Sequence, residues 1–449
     1  MKKQVVCLLI LTAILCVSLG GCNEQRPSPP SLSDEDRAVA LVDYLNNGTL
    51  ESVFSSWFTK TIQDATTPAQ LLTVWGQLQE QYGTFENITT VRTTTQANYT
   101  NVFVTCLFSQ QQTLDMEVTF DEQGLVAGLH FVPTDLSGDY RPPSYANESA
   151  FTERNVTVGE GTPWALPATL SMPNGDGPFP AVVLVQGSGP QDRDETILAN
   201  KPFKDLAWGL ASQGIAVLRY EKRTTQYGTI IAKELDNITV YEETVQDAQR
   251  AVTLLYSAPG IDPKRISVLG HSLGAMLAPR IAANTTGIAG LVLLAAPARP
   301  IEDLALNQTI YLANLDGNIT SAEETAIQQI RIAVEKIHSL NISAGETVFG
   351  AGRTYWADLA TYDPVKAAQN LSMPMLILQG QRDYQVDYTV DFLRWQAALG
   401  SKQNVGFHAY ENLTHLFMPG SVPPSNKDYA VPGNVAVEVV NDIAAWIKG

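Results

Sequence analysis

Residues 265–278 read RISVLGHSLGAMLA, and they decide the fold of the larger part of the chain. A β-rich run ends at Gly270, and a run of small apolar residues typical of a buried helix follows Ser272. Between them lies Gly-His-Ser-Leu-Gly, a Gly-x-Ser-x-Gly pentapeptide that predicts a sharp, strained strand-to-helix turn. Gly270 and Gly274 would let the strand and helix backbones come close, so we predict that Ser272 is a nucleophile.

Strands and helices alternate on both sides of this turn. Continuous apolar runs at 181–185, 291–295 and 375–379 are typical of strands buried on both faces. The pattern predicts further strands at 215–219 and 405–410, and helices at 203–213, 240–256, 386–399 and 434–447. We therefore predict a doubly wound, mostly parallel α/β sheet, whose ligands gather at the carboxyl ends of the strands.

A nucleophilic serine needs a base, and three histidines follow Ser272. His338 lies in a helical segment and is expected at the surface. His408 lies within a strand and is the reserve candidate. His415 lies in a loop after the last strand, where a catalytic base is expected, so we predict that His415 is the base.

The base in turn needs an acid to orient it. Asp383 follows the buried strand 375–379 directly, whereas Asp387 is one helical step further and would point elsewhere. We predict Asp383 as the acid, and the alternative is that it only caps a helix. Two backbone amides should bind the oxyanion: that of Leu273, and one in the loop after 181–185, where Ser188 is favoured over Gly187.

Residues from about 150 to 449 resemble α/β-hydrolases. The segments 186–196 (QGSGPQDRDET) and 270–279 are similar to those of secreted esterases related to EstD, near the dienelactone-hydrolase and serine-aminopeptidase branches. The family commonly has histidine where this chain has Gln186, which changes the hydrogen bonds expected in that loop. The polar run 192–195 is expected to brace the loop through ion pairs.

The resemblance implies that residues of about 300–364 form a helical cap over the cleft. Tyr355 and Trp356 then line the acyl pocket or, equally, are ordinary packing aromatics. The function implied is cleavage of small-molecule carboxylic esters with short to medium acyl chains through an acyl-enzyme, with no metal and no cofactor. A serine aminopeptidase or amidase with the same triad, and a catalytically inactive surface-binding lipoprotein, are the alternatives.

A smaller domain precedes the hydrolase region. Helical patterns begin after Ser33 and at 68–82, and alternating strand patterns follow at 88–94, 99–108, 113–120 and 126–131. They predict a small α+β domain over 34–132, which resembles the DUF3887 domain. Pro142 and Pro143 mark a linker over 133–149.

Residues 1–22 resemble a lipoprotein signal peptide. Lys2 and Lys3 precede an apolar run at 5–19, and the segment ends in Leu-Gly-Gly-Cys at Cys22. The resemblance to a lipobox implies a lipid on Cys22, anchorage to the membrane surface outside the cytoplasm, and a proline-rich tether at 23–33. The alternative is a plain secretory signal. Cys106 is the one cysteine left after lipidation, so no intramolecular disulfide is expected.

The net charge of −17 argues against nucleic acid as a partner, and oligomeric state stays open. Asn-x-Ser/Thr sequons are dense and predict N-glycosylation. Together with the lipobox they suggest an archaeal cell surface. The sequons begin at Asn47, Asn87, Asn98, Asn147, Asn155, Asn237, Asn284, Asn307, Asn318, Asn341, Asn370 and Asn412.

Overall fold

The computed structural model describes residues 32–96, 98–109, 112–134 and 140–449, and the chain divides into two compact units between residues 134 and 140. The predicted signal peptide, Cys22 and most of the tether lie outside the described residues. Among the described residues, no helix combines the length and the apolar character needed to cross a membrane.

The first unit packs helices on a four-stranded antiparallel sheet, as the pattern predicts. Ser33 caps the first helix by accepting from the Asp36 amide, and Thr67 forms a capping box with Gln70 before the fourth helix. Two short helices between them have no clear sequence signal. The elements are α1 (Asp34–Asn46), α2 (Glu51–Trp57), α3 (Lys60–Ala65), α4 (Pro68–Tyr82), β1 (Phe85–Gln96), β2 (Tyr99–Phe108), β3 (Gln112–Phe120) and β4 (Val126–Pro133).

The second unit is a doubly wound sheet of eight strands, in the order β12-β11-β10-β9-β7-β8-β6-β5. The strands are β5 (Phe151–Val158), β6 (Leu166–Pro173), β7 (Phe179–Val185), β8 (Ala216–Tyr220), β9 (Ile261–His271), β10 (Ile288–Leu294), β11 (Met375–Gly380) and β12 (Val405–Tyr410). The helices are α5 (Pro202–Ser212), α6 (Arg223–Gln226), α7 (Gly228–Ile231), α8 (Gln246–Ser257), α9 (Leu273–Ala283), α10 (Ile301–Ala313), α11 (Ser321–His338), α12 (Arg353–Ala360), α13 (Pro364–Gln369), α14 (Leu393–Leu399) and α15 (Val437–Lys448). π-helical turns at Tyr241–Val245 and Tyr388–Phe392 precede α8 and α14.

The strands from β8 to β12 are parallel, and β6 alone runs in the opposite direction, because it pairs antiparallel with both β8 and β5. Successive residues of β7 point to opposite faces of the sheet, and each face has its own hydrophobic core. Val183 packs with α8 and α9 on one face, and Val182 packs with α5 and α15 on the other. Because both faces are covered, the strands read as continuous apolar runs. The predicted α/β architecture is confirmed.

The order in which successive strands are added to the sheet reverses at β7. It proceeds from β7 to β8 on one side, and then returns to place β9 on the other side of β7. In doubly wound sheets this switch point opens a crevice at the carboxyl ends of the two strands concerned. The loop after β7 and the turn after β9 therefore lie side by side.

The segment between β10 and β11 holds four helices, α10 to α13, which matches the predicted helical insertion. Residues 140–149 differ from the expected linker, because they pack against the hydrolase unit. The Tyr140 hydroxyl donates to Asp205 at 2.7 Å, and the Tyr145 hydroxyl donates to the Val435 carbonyl at 2.8 Å. No periodic pattern in the sequence around Tyr140 and Tyr145 predicts that these tyrosines hold the segment against the second unit.

Candidate active site

Ser272 occupies the junction between β9 and α9 with φ 52° and ψ −118°, a left-handed conformation that costs a non-glycine residue about 1–3 kcal/mol. Its amide donates to the Leu294 carbonyl at 2.9 Å. A Cβ on Gly270 would lie 2.2 Å from the Gly274 carbonyl oxygen, and one on Gly274 would lie 2.2 Å from that of Val185. The two glycines are required by close backbone approach, as the pentapeptide predicts.

Asp383 and His415 form a buried pair. The distance between Asp383 Oδ2 and His415 Nδ1 is 2.7 Å, and Gln379 Nε2 donates to the same oxygen at 2.9 Å. Asp383 Oδ1 accepts from the backbone amides of Gln385 and Val386. The carboxylate therefore both caps the following turn and orients the imidazole. The capping role and the pairing with histidine, which the sequence offered as alternatives for Asp383, are compatible.

Close backbone packing and a neighbouring side chain hold the loop that carries His415 against the end of β11 and against His271. A Cβ on Gly380 would lie 2.3 Å from the Leu413 carbonyl oxygen, so glycine there lets the loop lie against the end of β11. His271 Nε2 lies 2.9 Å from the His415 carbonyl oxygen, and the two rings are 4.6 Å apart. Ser272 Oγ makes no hydrogen bond within the described ranges, and such bonds often form only when substrate is bound.

The other candidates lie elsewhere. His408, the reserve candidate, stacks on Tyr410, and its Nδ1 lies 2.9 Å from Asp442 of α15. His338 is half exposed beside Glu302 and Asp303, as expected of a surface residue. Asp387 caps the π-helical turn by accepting from Thr389.

The backbone amides expected to bind the oxyanion differ in whether they already have a hydrogen-bond acceptor. Leu273 begins α9, and neither its amide nor that of Ser188 has an acceptor among the described residues. The amide of Gly187, the reserve donor, is already occupied, because it donates to Glu195 Oε1 at 2.6 Å. A Cβ on Gly187 would lie 3.2 Å from Ser272 Cβ, so the loop passes directly against the serine.

Ion pairs brace the loop after β7, as predicted. Arg193 Nε donates to Glu221 at 2.6 Å, and Asp194 pairs with Arg219. Gln186, at the position where the family commonly has histidine, donates through Nε2 to the carbonyl of Tyr220. The amide side chain therefore ties this loop to the end of β8.

Two contacts between buried charged side chains at the site were not predicted from the sequence. His271 Nδ1 lies 3.0 Å from Glu195 Oε2, although neither atom has a hydrogen-bond partner of good geometry. Lys222 Nζ donates to the Gly187 carbonyl at 2.7 Å and lies 2.9 Å from Glu243 Oε1. His271 stands within the pentapeptide itself, but the pairing with Glu195 depends on the tertiary fold.

A cavity of about 410 Å³ opens beside the loop that follows β7, and its volume is within the size range of small-molecule sites. Its lining includes Ser188 of the loop, Tyr355 and Trp356 of α12, and the acidic residues Glu243 and Glu302. Burial raises the pKa of Glu302 above its ordinary value. The remaining walls are mostly apolar, formed by Ile231, Leu235, Ile238, Ile301, Ala305 and Phe349.

Within the part of the chain that the structure describes, no group of three or more His, Cys, Asp or Glu residues could hold a metal ion. A strained serine between a strand and a helix, at the switch point of a doubly wound sheet, is the architecture of the α/β-hydrolase class.

Comparisons with known proteins agree with this class. The family described as serine aminopeptidase S33 matches residues 200–419, and the protein family of unknown function DUF3887 matches residues 38–129. Esterase EstD of Thermotoga maritima is 37% identical over 415 residues, which cover 92% of this chain and 95% of that protein. The chain belongs to the α/β-hydrolase esterase family, with a DUF3887 domain at its N-terminal side.

Solved structures that are similar to this chain include more distant hydrolases. An esterase of Pyrococcus furiosus is 14% identical with a TM-score of 0.41, over 69% of this chain and 97% of that chain. A puromycin-hydrolyzing peptidase of Mycobacterium tuberculosis is 16% identical with a TM-score of 0.44, over 81% of this chain and 47% of that chain.

Proposed function

We propose that the chain hydrolyses carboxylic esters with short to medium acyl chains through Ser272, His415 and Asp383. Ser272 Oγ attacks the carbonyl carbon while His415 Nε2 takes its proton. Asp383 holds Nδ1–H and stabilises the imidazolium that forms. The amides of Leu273 and Ser188 bind the oxyanion, the alcohol leaves with the proton from His415, and water hydrolyses the acyl-enzyme in the reverse sequence.

The observation that carries this proposal is the contact of His271 with the His415 carbonyl at 2.9 Å. This contact supports the proposal because it holds His415, whose imidazole pairs with Asp383, against His271, the residue that precedes Ser272. The Nε2 atom of that imidazole has no hydrogen-bond partner among the described residues, so it is available to accept the serine proton.

Covalent labelling tests the nucleophile. A fluorophosphonate probe should label the wild-type chain at Ser272 and should not label Ser272→Ala. His415→Ala and Asp383→Asn should lower kcat on a p-nitrophenyl ester by about 10⁴-fold, while His408→Ala keeps wild-type turnover. Absence of labelling in the wild type would favour the catalytically inactive surface-binding protein instead.

The cavity supports the acyl preference, because its mostly apolar walls suit a hydrocarbon chain and its volume is limited. Turnover of p-nitrophenyl esters of increasing acyl length should therefore rise to short or medium chains and then fall. Highest turnover on the longest esters would contradict this preference.

An aminopeptidase or amidase activity is the second candidate. The serine aminopeptidase family match favours it, and the Glu302 carboxylate in the cavity wall offers a partner for a substrate ammonium group. An aminoacyl anilide cleaved faster than the ester would establish this activity in place of the first.

We also propose that the protein is anchored outside the cytoplasm through a lipid on Cys22, and that it carries N-linked glycans. The lipobox-like sequence supports the anchor. All twelve sequon asparagines are exposed, which is a requirement for glycosylation.

A further inference from the structure

Charged, buried side chains hold both polar groups of Gly187. Its amide donates to Glu195 Oε1 at 2.6 Å, and its carbonyl accepts from Lys222 Nζ at 2.7 Å. Glu195 and Lys222 are each only 2% exposed. A buried ammonium group is costly unless it is paired and hydrogen-bonded, so its placement against a loop carbonyl calls for a function.

The charge of Lys222 is balanced from the side of the cavity. Its Nζ lies 2.9 Å from Glu243 Oε1, and the Tyr355 hydroxyl donates to Glu243 Oε2 at 3.0 Å. Glu243 and Tyr355 both line the cavity. A continuous chain of contacts therefore runs from the cavity wall through Lys222 to the loop beside Ser272.

The geometry of one peptide bond connects this chain of contacts to the reaction. The peptide between Gly187 and Ser188 is trans, so its carbonyl and its N–H point in opposite directions. With Lys222 on the carbonyl, the Ser188 N–H points away from the ammonium group. That N–H has no acceptor among the described residues, and the loop lies against Ser272.

We propose that Lys222 is a positioning residue for the oxyanion site, an inference that rests on the proposed function. Lys222 fixes the orientation of the Gly187–Ser188 peptide. Its ammonium group also draws electron density toward the Gly187 oxygen, which strengthens the Ser188 N–H as a donor. The effect is largest when full negative charge develops on the substrate oxygen, so Lys222 lowers the barrier without contacting substrate.

The test compares Lys222→Met, which keeps the length of the stem and removes the charge, with the double variant Lys222→Met/Glu243→Gln. The double variant leaves no unpaired buried carboxylate, so it covers the case in which the single variant does not fold. Lys264→Met, an exposed lysine in β9, is the matched control. Active sites are titrated with a fluorophosphonate, so every rate refers to folded, labelled enzyme.

We expect kcat on a p-nitrophenyl ester to fall about 10- to 100-fold in the variants, below the roughly 10²–10³ lost when an oxyanion donor is removed, with KM within about threefold. The affinity for a trifluoromethyl ketone, which forms a tetrahedral oxyanion on the serine, should weaken in parallel with kcat/KM.

Wild-type kcat per titrated site in the double variant would overturn the proposal, and so would a change in KM alone or an unchanged affinity for the trifluoromethyl ketone. A wild-type chain that is neither labelled nor active on esters would overturn the proposed function, and this inference with it.

Discussion

At the scale of single residues, the backbone amides of the candidate site differ in whether they already donate a hydrogen bond within the protein. The N–H of Gly187 is taken by Glu195, whereas those of Ser188 and Leu273 have no acceptor among the described residues. A buried amide without an acceptor is costly unless a ligand or water satisfies it, and this applies to Leu273. Ser188 is exposed, so its amide is open to solvent or substrate. These two amides are the donors that the proposed mechanism assigns to the oxyanion.

His271 connects the same loop to the base. Burial lowers the pKa of His271, but the Glu195 carboxylate, the His415 carbonyl and the charge of Asp383 outweigh burial, so this pKa lies above its ordinary value of 6.5. The folded state therefore binds the proton more tightly than the unfolded state does. The resulting stabilisation is complete below about pH 6.5 and is lost as the pH rises through the folded-state pKa.

The wild-type chain should accordingly lose stability above about pH 6.5, with a slope of at most about 1.4 kcal/mol per pH unit from this group. His271→Gln should lack this contribution, because glutamine does not titrate. The measurement is the urea midpoint at which fluorophosphonate labelling of Ser272 is lost, between pH 6 and 9. His408→Gln, a half-exposed histidine on β12, should keep the wild-type slope; an unchanged slope in His271→Gln would refute the assignment.

At the scale of elements, the register between neighbouring strands determines where the loops of the candidate site lie. Val185 at the end of β7 pairs with Gly270 of β9, and Leu294 of β10 pairs with His271 of β9 and Leu378 of β11. The four strands therefore end at nearly the same level. Since they are parallel and adjacent, the loops that follow them meet at one edge of the sheet.

The approach of α9 to β7 depends on Gly274. In Gly274→Ala the new Cβ would lie 2.2 Å from the Val185 carbonyl oxygen and 2.7 Å from that of Gln186, and backbone atoms cannot move aside cheaply. We expect a loss of about 1–3 kcal/mol in stability. We also expect kcat/KM to fall at least about tenfold, because the displaced segment leads into the loop that carries Ser188, the proposed oxyanion donor.

Thermal denaturation and ester turnover measure these two effects. Gly228→Ala is the control, because a Cβ there meets no atom within 4 Å and its φ lies outside the left-handed region. Wild-type melting and turnover in Gly274→Ala would show that the close approach of helix and strand is not required.

At the scale of the whole molecule, each unit has a hydrophobic core of its own. The first core is rich in aromatic side chains, including Trp57, Trp75 and Phe108, and the second unit buries apolar side chains on both faces of its sheet. All the groups placed in the candidate active site belong to the second unit.

The proposed anchor is a property of the full-length chain. Cys22→Ser should move the protein from the membrane fraction to the soluble fraction, since a seryl side chain offers no thiol for the lipid. Ultracentrifugation and incorporation of a labelled fatty acid into the wild type measure the two consequences. Cys106→Ala, at a buried cysteine of β2, should remain with the membrane; a Cys22→Ser chain that stays there too would refute the anchor.

The sequence by itself determined the features that are local or ordered along the chain. The turn at Ser272 could be predicted because its glycines and its flanking strand and helix are contiguous. The contact between Asp383 and His415 could be anticipated, because this fold is expected to bring the loops after these strands together. The hairpin of β5 and β6 escaped prediction, since β5 is largely exposed along its length and shows no buried period.

Only the tertiary structure decided how the site is supported. Lys222 at the end of β8, Glu195 in the loop after β7 and His271 at the end of β9 meet around one glycine, although no spacing in the sequence relates them. Hydrogen bonds between distant residues depend on side-chain directions that are set when strands pair and loops pack. For the same reason the sequence could not show that the amide of Gly187 is already occupied, while that of Ser188 is free.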